Sequence, residues 1–459
     1  MNDRWTDMSE AVRDFYSSVG ELPVAPSGGS MGTRAHLDET YGAFTDPRPS
    51  RQVQADVLRM LREEQVHATH PRYFGLFNPS VFPAAVVADA LVAVTNPQVC
   101  VYSHAPGANE IERHTLRYLA RKLGCDPERW FAGFTSGGSE ANQSAVIAAL
   151  TRDIHGFAEH GLAGGTAKPT LYLSAEGHHS FDKIVHGVGM GRGALRRIPV
   201  TDRLTMDVEA LASAMAQDRE RGYTPSIVVA TAGTTGAGVA DPLRDIASLC
   251  RERSVWFHVD AAWGGAACLS PKLRTEISGI ELADSITWDA HKWLSVPMGA
   301  GMFFCRHPEV VRRAFAVESG YMPASTPDVE EPYLSSILWS RRFIGLKVFM
   351  ALAELGEEGY RHAIERQAEI CDLLRSRLSA SGWKLLNDTL LPVVCFTGPS
   401  LLEGRHRAEE VVAGAIESGV WISEVKLANH DPALRACITS FRSTSGDVDA
   451  LVEALAPYV

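Results

Sequence analysis

Cysteine is scarce in this sequence, and the few cysteines are scattered. The chain has 8 cysteines in 459 residues, and no two of them are spaced as Cys-x-x-Cys. Zinc ribbons, thioredoxin-like redox motifs and disulfide scaffolds are therefore disfavoured, because each of them needs cysteines at set spacings. Reduced thiols are the simplest interpretation, which predicts a cytoplasmic protein.

Long apolar runs and an excess of positive charge are also absent. The most apolar stretch, Val81 to Val94, contains Asp89 and is too short to span a bilayer. The start of the chain carries acidic side chains and no apolar core, unlike a signal peptide. Lys and Arg number 44 against 55 Asp and Glu, for a net charge of −11. Such a surface argues against general nucleic-acid or membrane binding, although one local anion site would be compatible with it.

The length corresponds to about three domains of roughly 150 residues each. Residues 1–74 contain an amphipathic start (Met8 to Val19), a turn-rich stretch (Pro23 to Thr33) and a helical pattern (Arg51 to Gln65). A segment of this size cannot bury a core of its own, so we expect it to pack on something larger.

From residue 75 to 349, short apolar runs alternate with helical patterns. The predicted strands are Thr170–Ser174, Arg196–Val200, Ile227–Thr231, Val255–Asp260, Ser285–Trp288 and Gly301–Cys305. The predicted helices are Ser139–Arg152, Met206–Ala216 and Pro242–Arg253, followed by a long one at Ser336–Leu355. This alternation predicts an α/β domain with a mainly parallel sheet covered on both faces. Ligands bind beyond the carboxyl ends of such strands, so functional residues should follow them.

Residues 350–459 mix helical and strand patterns, which predicts a small α+β domain. The predicted helices are Arg361–Leu378, Arg407–Glu417 and Asp447–Leu455. The predicted strands are Trp383–Leu386, Val393–Thr397, Trp421–Val425 and Leu434–Thr439.

Two glycine clusters differ in their context. Gly137 and Gly138 lie between an apolar run and a helical pattern, where we expect Ser139 to cap the helix. A helix start with free N–H groups is an anion site, although a simple glycine turn would have the same sequence. The second cluster, residues 187–193, follows a helical pattern and precedes a strand, which is the reverse of a dinucleotide-binding loop. We interpret it as a connection.

Asp260 and Lys292 both stand at or just after predicted strands. Asp260 ends an apolar strand, where its carboxylate either caps a turn or pairs with a buried cation or protonated ring nitrogen. Lys292 stands between Trp288 and Trp293 in sequence, so we expect it to be buried. Burial lowers the pKa of a lysine and favours Schiff-base chemistry, whereas an ordinary surface lysine is the alternative.

His178 and His179 follow the strand Thr170–Ser174. Adjacent histidines point apart on most backbones and no metal-ligand spacing accompanies them, so His178 either stacks on a flat ligand or is an ordinary loop residue. Together these positions describe a ligand with an anionic end, a basic ring nitrogen and an aldehyde. Pyridoxal 5′-phosphate has those three groups.

The order of the motifs resembles the group II pyridoxal-phosphate-dependent amino-acid decarboxylases, which include the aromatic-L-amino-acid, glutamate and cysteine-sulfinate decarboxylases. The motifs are SGGSEAN, HHS, VATAGTTGAG, HVDAAW and DAHKW, with THPRYF, a Tyr102 to Glu112 segment and WSRRF outside them. The resemblance covers about residues 45 to 455. It implies an aspartate-aminotransferase-like large domain (fold type I), and homodimers in which the N-terminal segment clamps the partner and the active sites lie at the interface.

The resemblance also implies residue roles. Lys292 would form the internal aldimine, Asp260 would bind the pyridine nitrogen, and Ala262 and His178 would lie against the two ring faces. Residues that would hold or flank the phosphate are Gly137, Gly138, Ser139, Thr235, Asp289 and His291. Tyr321 matches a catalytic loop tyrosine that returns a proton to Cα, and the pocket would be lined by Tyr73, Phe74, Phe82 and His104.

The expected reaction is α-decarboxylation of an L-amino acid to an amine and CO₂. The aromatic pocket residues favour an aromatic or hydrophobic substrate. An acidic substrate would need an arginine in the pocket, for which Arg442 is a candidate. Transamination, oxidative aldehyde formation and an inactive cofactor-binding partner remain alternatives. Tyr321 argues for decarboxylation, because aldehyde-forming relatives have phenylalanine there.

Overall fold

The structure is a computed structural model that describes residues 2–26, 30–320, 329–428 and 430–459. Its helices are α1 (Asn2–Ser18), α2 (Ser30–Thr40), α3 (Ser50–Glu63), α4 (Pro83–Thr95), α5 (Pro106–Leu123), α6 (Gly138–Asp153), α7 (Phe157–His160), α8 (Ser180–Gly187), α9 (Val208–Glu220), α10 (Leu243–Arg253), α11 (Pro308–Phe315), α12 (Gly345–Ala380), α13 (Pro399–Leu402), α14 (Ala408–Glu417) and α15 (Ser445–Leu455). Its strands are β1 (Phe131–Thr135), β2 (Pro169–Ser174), β3 (Leu195–Ile198), β4 (Thr224–Thr231), β5 (Trp256–Asp260), β6 (Ser285–Asp289), β7 (Gly301–Cys305), β8 (Lys384–Leu385), β9 (Val393–Thr397), β10 (Ser423–Leu427) and β11 (His430–Cys437). None of the helices described is both long and apolar enough to cross a membrane.

The larger sheet has seven strands in the order β1-β7-β6-β5-β4-β2-β3. Neighbouring strands from β6 through β5, β4 and β2 to β3 are parallel, whereas β7 is antiparallel to both β6 and β1. Strands β2 and β4 to β7 are buried almost throughout, which explains their continuous apolar sequences. The predicted mainly parallel sheet is confirmed.

All six strands predicted for this sheet are present, with ends that differ by at most a few residues. Strand β1 is not among the predicted strands; it contains only five residues, with a glycine in the middle. Its pairing with β7 along its whole length stabilises it, and that partner lies far away in the chain.

The predicted start of the long helix and the predicted end of the turn-rich stretch are both wrong. The long helix expected from Ser336 begins only at Gly345, and it continues to Ala380 across a kink at Gly356, whose φ is 65°. Before it, Trp339 packs on Tyr333 with the ring centroids 5.1 Å apart, and Phe343 and Ile344 are buried without a helix, whereas Ile337 is 45% exposed. The turn-rich stretch also ends early, because α2 already begins at Ser30; residues 27–29 lie outside the described residues.

The second sheet has four antiparallel strands in the order β10-β11-β9-β8. It packs against α12, α14 and α15 over a separate apolar core. Phe74, from far upstream, donates its N–H to Trp421 O and accepts the Cys437 N–H through its own carbonyl. The chain before α4 is thereby fastened to the C-terminal sheet.

The start of α12 is held by a buried ion pair. Arg341 Nη1 lies 2.7 Å from Glu112 Oε2, and the two side chains are only 7% and 5% exposed. Glu112 Oε1 also accepts the N–H of Gly345, the first residue of α12. Because both charges are removed from water, each depends on the other for compensation.

We predict that Glu112→Ala lowers the free energy of unfolding by about 3–5 kcal/mol, because it leaves the Arg341 charge buried and unpaired. The measurement is a urea unfolding curve. Arg203→Ala is the matched control, since its ion pair with Asp388 has side chains that are 76% and 88% exposed. This control should leave the unfolding midpoint almost unchanged, and equal losses in the two variants would contradict the prediction.

Candidate active site

Six of the seven strands of the larger sheet run in the same direction and end at one edge, because only β7 is antiparallel to its neighbours. Five of them, β1, β2, β4, β5 and β6, precede the predicted site residues. The residues that follow these strands in sequence therefore meet. They are Gly137 and Gly138 after β1, His178 after β2, Thr235 after β4, Ala262 after β5, and His291 and Lys292 after β6.

Two glycines allow the strand ends to approach closely. A Cβ placed on Gly138 would lie 2.8 Å from Asp289 Oδ2 and 3.4 Å from the Cβ of Ala262. Gly301, at the start of β7, is paired with both Thr135 and Asp289. A Cβ there would lie 2.5 Å from Thr135 Oγ1. No larger side chain fits at these two positions without moving its neighbours.

The helix cap expected at Ser139 is wrong. Helix α6 begins one residue earlier, at Gly138, and Gly137 stands at the cap position without a side chain. Ser139 lies exposed in the first turn. The first N–H groups of a helix have no partner within it, and the helix dipole favours an anion at this end. The start of α6 is thus suited to a phosphate.

Lys292 points its amine at a buried carboxylate. Lys292 Nζ lies 3.1 Å from Asp289 Oδ2, and the Asp289 side chain is 2% exposed. Asp289 Oδ1 has no hydrogen-bond partner among the described residues. Trp288 and Trp293 are both buried in the core, whereas the Lys292 side chain is 26% exposed. Lys292 is therefore less buried than we expected, because the tryptophans pack into the core and the amine faces the cleft.

His291 lies beside the same carboxylate. Its Nδ1 accepts the Ala300 N–H at 3.1 Å, and its Nε2 lies 3.7 Å from Asp289 Oδ2. Burial lowers the pKa of His291, while the Asp289 charge opposes that shift. Because Nδ1 is an acceptor, the neutral ring carries its proton on Nε2, on the side of Asp289.

Asp260 closes β5 and is bound only by uncharged donors. Its Oδ1 accepts the Ala262 N–H and its Oδ2 accepts Nδ2 of Asn142, both at 3.0 Å. The residue is 4% exposed, and no lysine or arginine of the described chain forms an ion pair with it. A buried carboxylate of this kind needs a cation, which a protonated ring nitrogen would supply.

His178 follows β2 and is exposed, within electrostatic range of Asp260 and Lys292. Its Nδ1 accepts the Ser180 N–H at 3.1 Å. Desolvation of the ring lowers the pKa of His178. The negative charge of Asp260 opposes this shift, and the positive charge of Lys292 lowers the pKa further. The adjacent His179 points away, pairs with Asp182 and has a side chain 88% exposed. Within the described ranges, no group of His, Cys, Asp and Glu is arranged to hold a metal ion.

Known proteins resemble this chain over most of its length. A family model for the pyridoxal-dependent decarboxylase conserved domain matches residues 34–398. An L-aspartate decarboxylase of Metarhizium robertsii is 32% identical over 455 residues, covering 91% of this chain and 89% of that protein. A human acidic amino acid decarboxylase is 30% identical over 425 residues, covering 87% and 80%. The chain belongs to the pyridoxal-dependent decarboxylase family.

Solved structures confirm the fold of this decarboxylase. The crystal structure of Oryza sativa TDC with PLP and tryptamine superposes with a TM-score of 0.90 over 99% of this chain and 97% of that one, at 21% identity. The structure of mouse CSAD superposes with a TM-score of 0.87 over 99% of both chains, at 22% identity. The predicted aspartate-aminotransferase-like α/β fold, fold type I, is confirmed.

The cofactor of the decarboxylase is pyridoxal 5′-phosphate, and the cleft fits it. A phosphate suits the first turn of α6, and the primary amine that an aldehyde needs is Lys292 Nζ. Asp260 lacks the cation that a pyridinium nitrogen would provide. The side chain absent at Gly138 leaves space between Asp289 and Ala262.

Two buried residues of the decarboxylase near this cleft were not predicted from the sequence. Asn142, in the quoted motif SGGSEAN, binds Asp260. Arg435, in β11, donates to the carbonyls of Thr235 and Gly75 at 2.6 and 2.9 Å, and its buried Nε has no partner in the described chain. The signal in the sequence that could have identified them is a charged or amide side chain inside an otherwise apolar pattern.

The four predicted pocket residues have different surroundings. Phe82 donates its N–H to Ser295 O, close to Lys292 in sequence, and Tyr73 is buried against Trp421. His104 lies exposed on a short 3₁₀ turn. Phe74 is entirely buried in the core of the C-terminal sheet. This position disfavours contact with a substrate, and the assignment of Phe74 to the pocket stays a prediction.

Two other predicted residues do not join the described cleft. Tyr321 lies outside the described residues, so its role stays a prediction. Arg442 lies over the ring of Tyr16, 4.1 Å from its centroid. It lines a groove against α1 and α3 rather than the space around Lys292, which disfavours it as the ligand of an acidic substrate.

We predict that Gly138→Ala weakens binding of pyridoxal 5′-phosphate by about tenfold or more, because the new Cβ displaces the Asp289 carboxylate. Cofactor titration followed by absorbance measures the effect. Gly187→Ala, in the second glycine cluster, is the control, since a Cβ there has no neighbour within 4 Å. Equal affinities of the two variants would refute the role given to Gly138.

Proposed function

We propose that this decarboxylase removes the α-carboxylate of an aromatic or hydrophobic L-amino acid, releasing the amine and CO₂. The observation that carries the proposal is the pairing of two features in one cleft. Asp260 is a buried carboxylate with only uncharged donors, and Lys292 is a primary amine at the end of the next strand. The aromatic side chains of Tyr73 and Phe82 favour an apolar substrate.

Each residue then has a definite task. When bound, the cofactor takes up the negative charge left on the substrate Cα after CO₂ departs. Asp260 would hold a proton on the pyridine nitrogen, and Lys292 Nζ would supply the primary amine for the aldehyde and exchange protons there. His178 and Ala262 would lie on the two sides of the ring. Gly137, Gly138 and Ser139 bind the phosphate through the start of α6, flanked by Thr235, Asp289 and His291.

Tyr321 is proposed to deliver the proton to Cα, which completes decarboxylation rather than aldehyde formation. The tyrosine hydroxyl is a donor at neutral pH, whereas a phenylalanine at this position has no proton to give. The product formed, amine or aldehyde, therefore reports on this step.

An acidic substrate is the second candidate. Two relatives that cover most of this chain carry acidic amino acids in their names, the L-aspartate decarboxylase and the human acidic amino acid decarboxylase. Arg435 is a buried cation whose Nε lacks a partner in the described chain and which contacts the carbonyl of Thr235. A substrate carboxylate would suit this guanidinium.

We expect borohydride treatment of the loaded protein to fix the cofactor on Lys292, and mass spectrometry of the digest to find it there. Lys292→Ala should carry no label and release no CO₂. A panel of L-amino acids, assayed for CO₂, amine and aldehyde, then identifies the substrate class. Label on another lysine would overturn the site, and turnover of aspartate or glutamate alone would favour the acidic candidate.

We also propose a homodimer whose active sites lie at the interface, with three structural units. These are a clamp (residues 1–74), a cofactor-binding domain (75–349) and a small domain (350–459). Helix α12 runs from the cofactor-binding domain into the small domain. Helix α3 has a strongly apolar face but no buried residue, and Val57 and Leu61 on it are 42% and 44% exposed. With α1 it borders an apolar groove of about 510 Å³. A second copy covering this face would remove it from water.

The free, buried thiols of all eight cysteines support a reducing compartment, for which we propose the cytoplasm. Neither nucleic acid nor a membrane is proposed as a partner, since the net charge of −11 disfavours both.

We predict that Leu61→Glu shifts the protein from twice the mass of one chain towards that of a single chain, because it places a charge in the apolar interface. Sedimentation velocity measures the mass. Leu402→Glu is the control, since Leu402 is 60% exposed on α13, far from the clamp in sequence. A single-chain mass for the unmodified protein, or a dimer that tolerates Leu61→Glu, would contradict the clamp.

A further inference from the structure

A chain of five hydrogen-bonded side chains runs behind the cleft and ends on Asp260. Trp256 Nε1 donates to Ser285 Oγ at 2.8 Å, and Ser285 Oγ lies 2.8 Å from His258 Nδ1. His258 Nε2 lies 3.0 Å from Asn142 Oδ1, whose Nδ2 donates to Asp260 Oδ2 at 3.0 Å. All five residues are buried, none more than 4% exposed.

The secondary structure places these groups in line. Residues 256, 258 and 260 alternate along β5, so their side chains lie on the same face of the sheet. Ser285 opens β6 directly opposite His258 in the parallel register. Asn142 reaches the same face from α6, one turn into the helix that begins at Gly138. This chain of five side chains, which we call the relay, therefore joins two strands and the helix whose start is proposed to bind phosphate.

Its two ends force one direction on every hydrogen bond. The Trp256 indole can only donate and the Asp260 carboxylate can only accept. Asn142 must turn its NH₂ to Asp260, so its oxygen faces His258 and requires a proton on Nε2. His258 Nδ1 is then an acceptor, and the Ser285 hydroxyl donates to it. Each donor thus points towards Asp260.

His258 is neutral in this arrangement, which the relay requires. Burial lowers the pKa of His258 to about 4, although the Asp260 charge opposes the shift. With one proton on Nε2 and a lone pair on Nδ1, the imidazole accepts a hydrogen bond from Ser285 and donates one to Asn142. Hydrogen bonds that share one direction in a low dielectric polarise and strengthen one another.

We propose that His258, Asn142 and Ser285 are positioning residues that fix the Asp260 carboxylate, ionised and correctly turned, for the pyridine nitrogen of the cofactor. The inference rests on the proposed function of Asp260. Asn142 occupies one lone pair on Oδ2 and the Ala262 N–H occupies one on Oδ1, which leaves the remaining lone pairs in set directions. A structural role alone would need only shape, and apolar side chains would fill this buried space without the desolvation cost of polar groups.

The test compares two cofactors, pyridoxal 5′-phosphate and 1-deazapyridoxal 5′-phosphate, in which a carbon replaces the pyridine nitrogen. The ratio of their dissociation constants measures the contact between that nitrogen and Asp260. His258→Leu removes the donor to Asn142 and should reduce the preference for the natural cofactor about tenfold. His258→Gln keeps an N–H donor near the position of Nε2 and should retain most of the preference.

Two further variants keep the test decisive if His258→Leu fails to fold. Asn142→Ala removes the direct donor to Asp260 and should reduce the preference by a similar factor. Phe181→Leu is the matched packing control, since Phe181 is buried against the edge of the His258 ring, 6.2 Å between centroids, and takes no part in the relay. It should leave the ratio unchanged, and thermal unfolding of each variant identifies those that are folded.

The outcomes separate the inference from the function on which it rests. Loss of the preference in His258→Leu and Asn142→Ala, with recovery in His258→Gln, supports the relay. An equal loss of affinity for both cofactors, or an unchanged ratio in folded relay variants, overturns it. If Asp260→Asn itself leaves the ratio unchanged, the role proposed for Asp260 fails, whatever the relay variants show.

Discussion

A carboxylate at the buried end of a strand must be matched by donors and by a cation, and the cleft of this protein is arranged around that requirement at Asp260. Two uncharged donors hold its oxygens, and one of them, Asn142, belongs to the relay that begins at Trp256. Neither donor cancels the charge. In the proposed function a protonated pyridine would do so from the cleft, and Lys292 lies at the end of the adjacent strand, where it would reach the aldehyde of the same ring.

The approach of these groups depends on one antiparallel strand in a parallel sheet. Strand β7 separates β1 from β6, and its first residue, Gly301, pairs with residues of both. The absence of side chains at Gly301 and Gly138 lets the start of α6 lie against Asp289. The start of α6, proposed to bind the phosphate, and the amine of Lys292 thereby lie at one edge of the sheet, although the chain as a whole is acidic. Bulk charge and a local anion site are separate properties, because backbone N–H groups and a helix end can hold the anion.

The cleft also depends on distant parts of the chain. Phe74 belongs to the core of the C-terminal sheet. Arg435 of β11 donates to the carbonyl of Gly75, next to Phe74, and to the carbonyl of Thr235, after β4 of the larger sheet. The N-terminal helices instead leave apolar side chains exposed, among them Val57 and Leu61. The segment around Phe74 is thus held by contacts within the chain, whereas the apolar face of α3 is the one proposed to be covered by a second copy.

The sequence by itself determined the α/β class, six strands of the main sheet, and the cofactor chemistry. Periodicity and residue type are local properties, so they can be read without knowing the fold. It also singled out Asp260 and Lys292, whose positions at strand ends follow from that periodicity. Only the tertiary structure decided which residues lie behind them. Strand β1 exists through its pairing with β7, Phe343 and Ile344 are buried before Gly345 without forming a helix, and Phe74 lies in a different core. Asn142, which binds Asp260, contacts His258 across a helix and a strand that are more than a hundred residues apart in the chain. Long-range packing creates this proximity, and no local pattern encodes it.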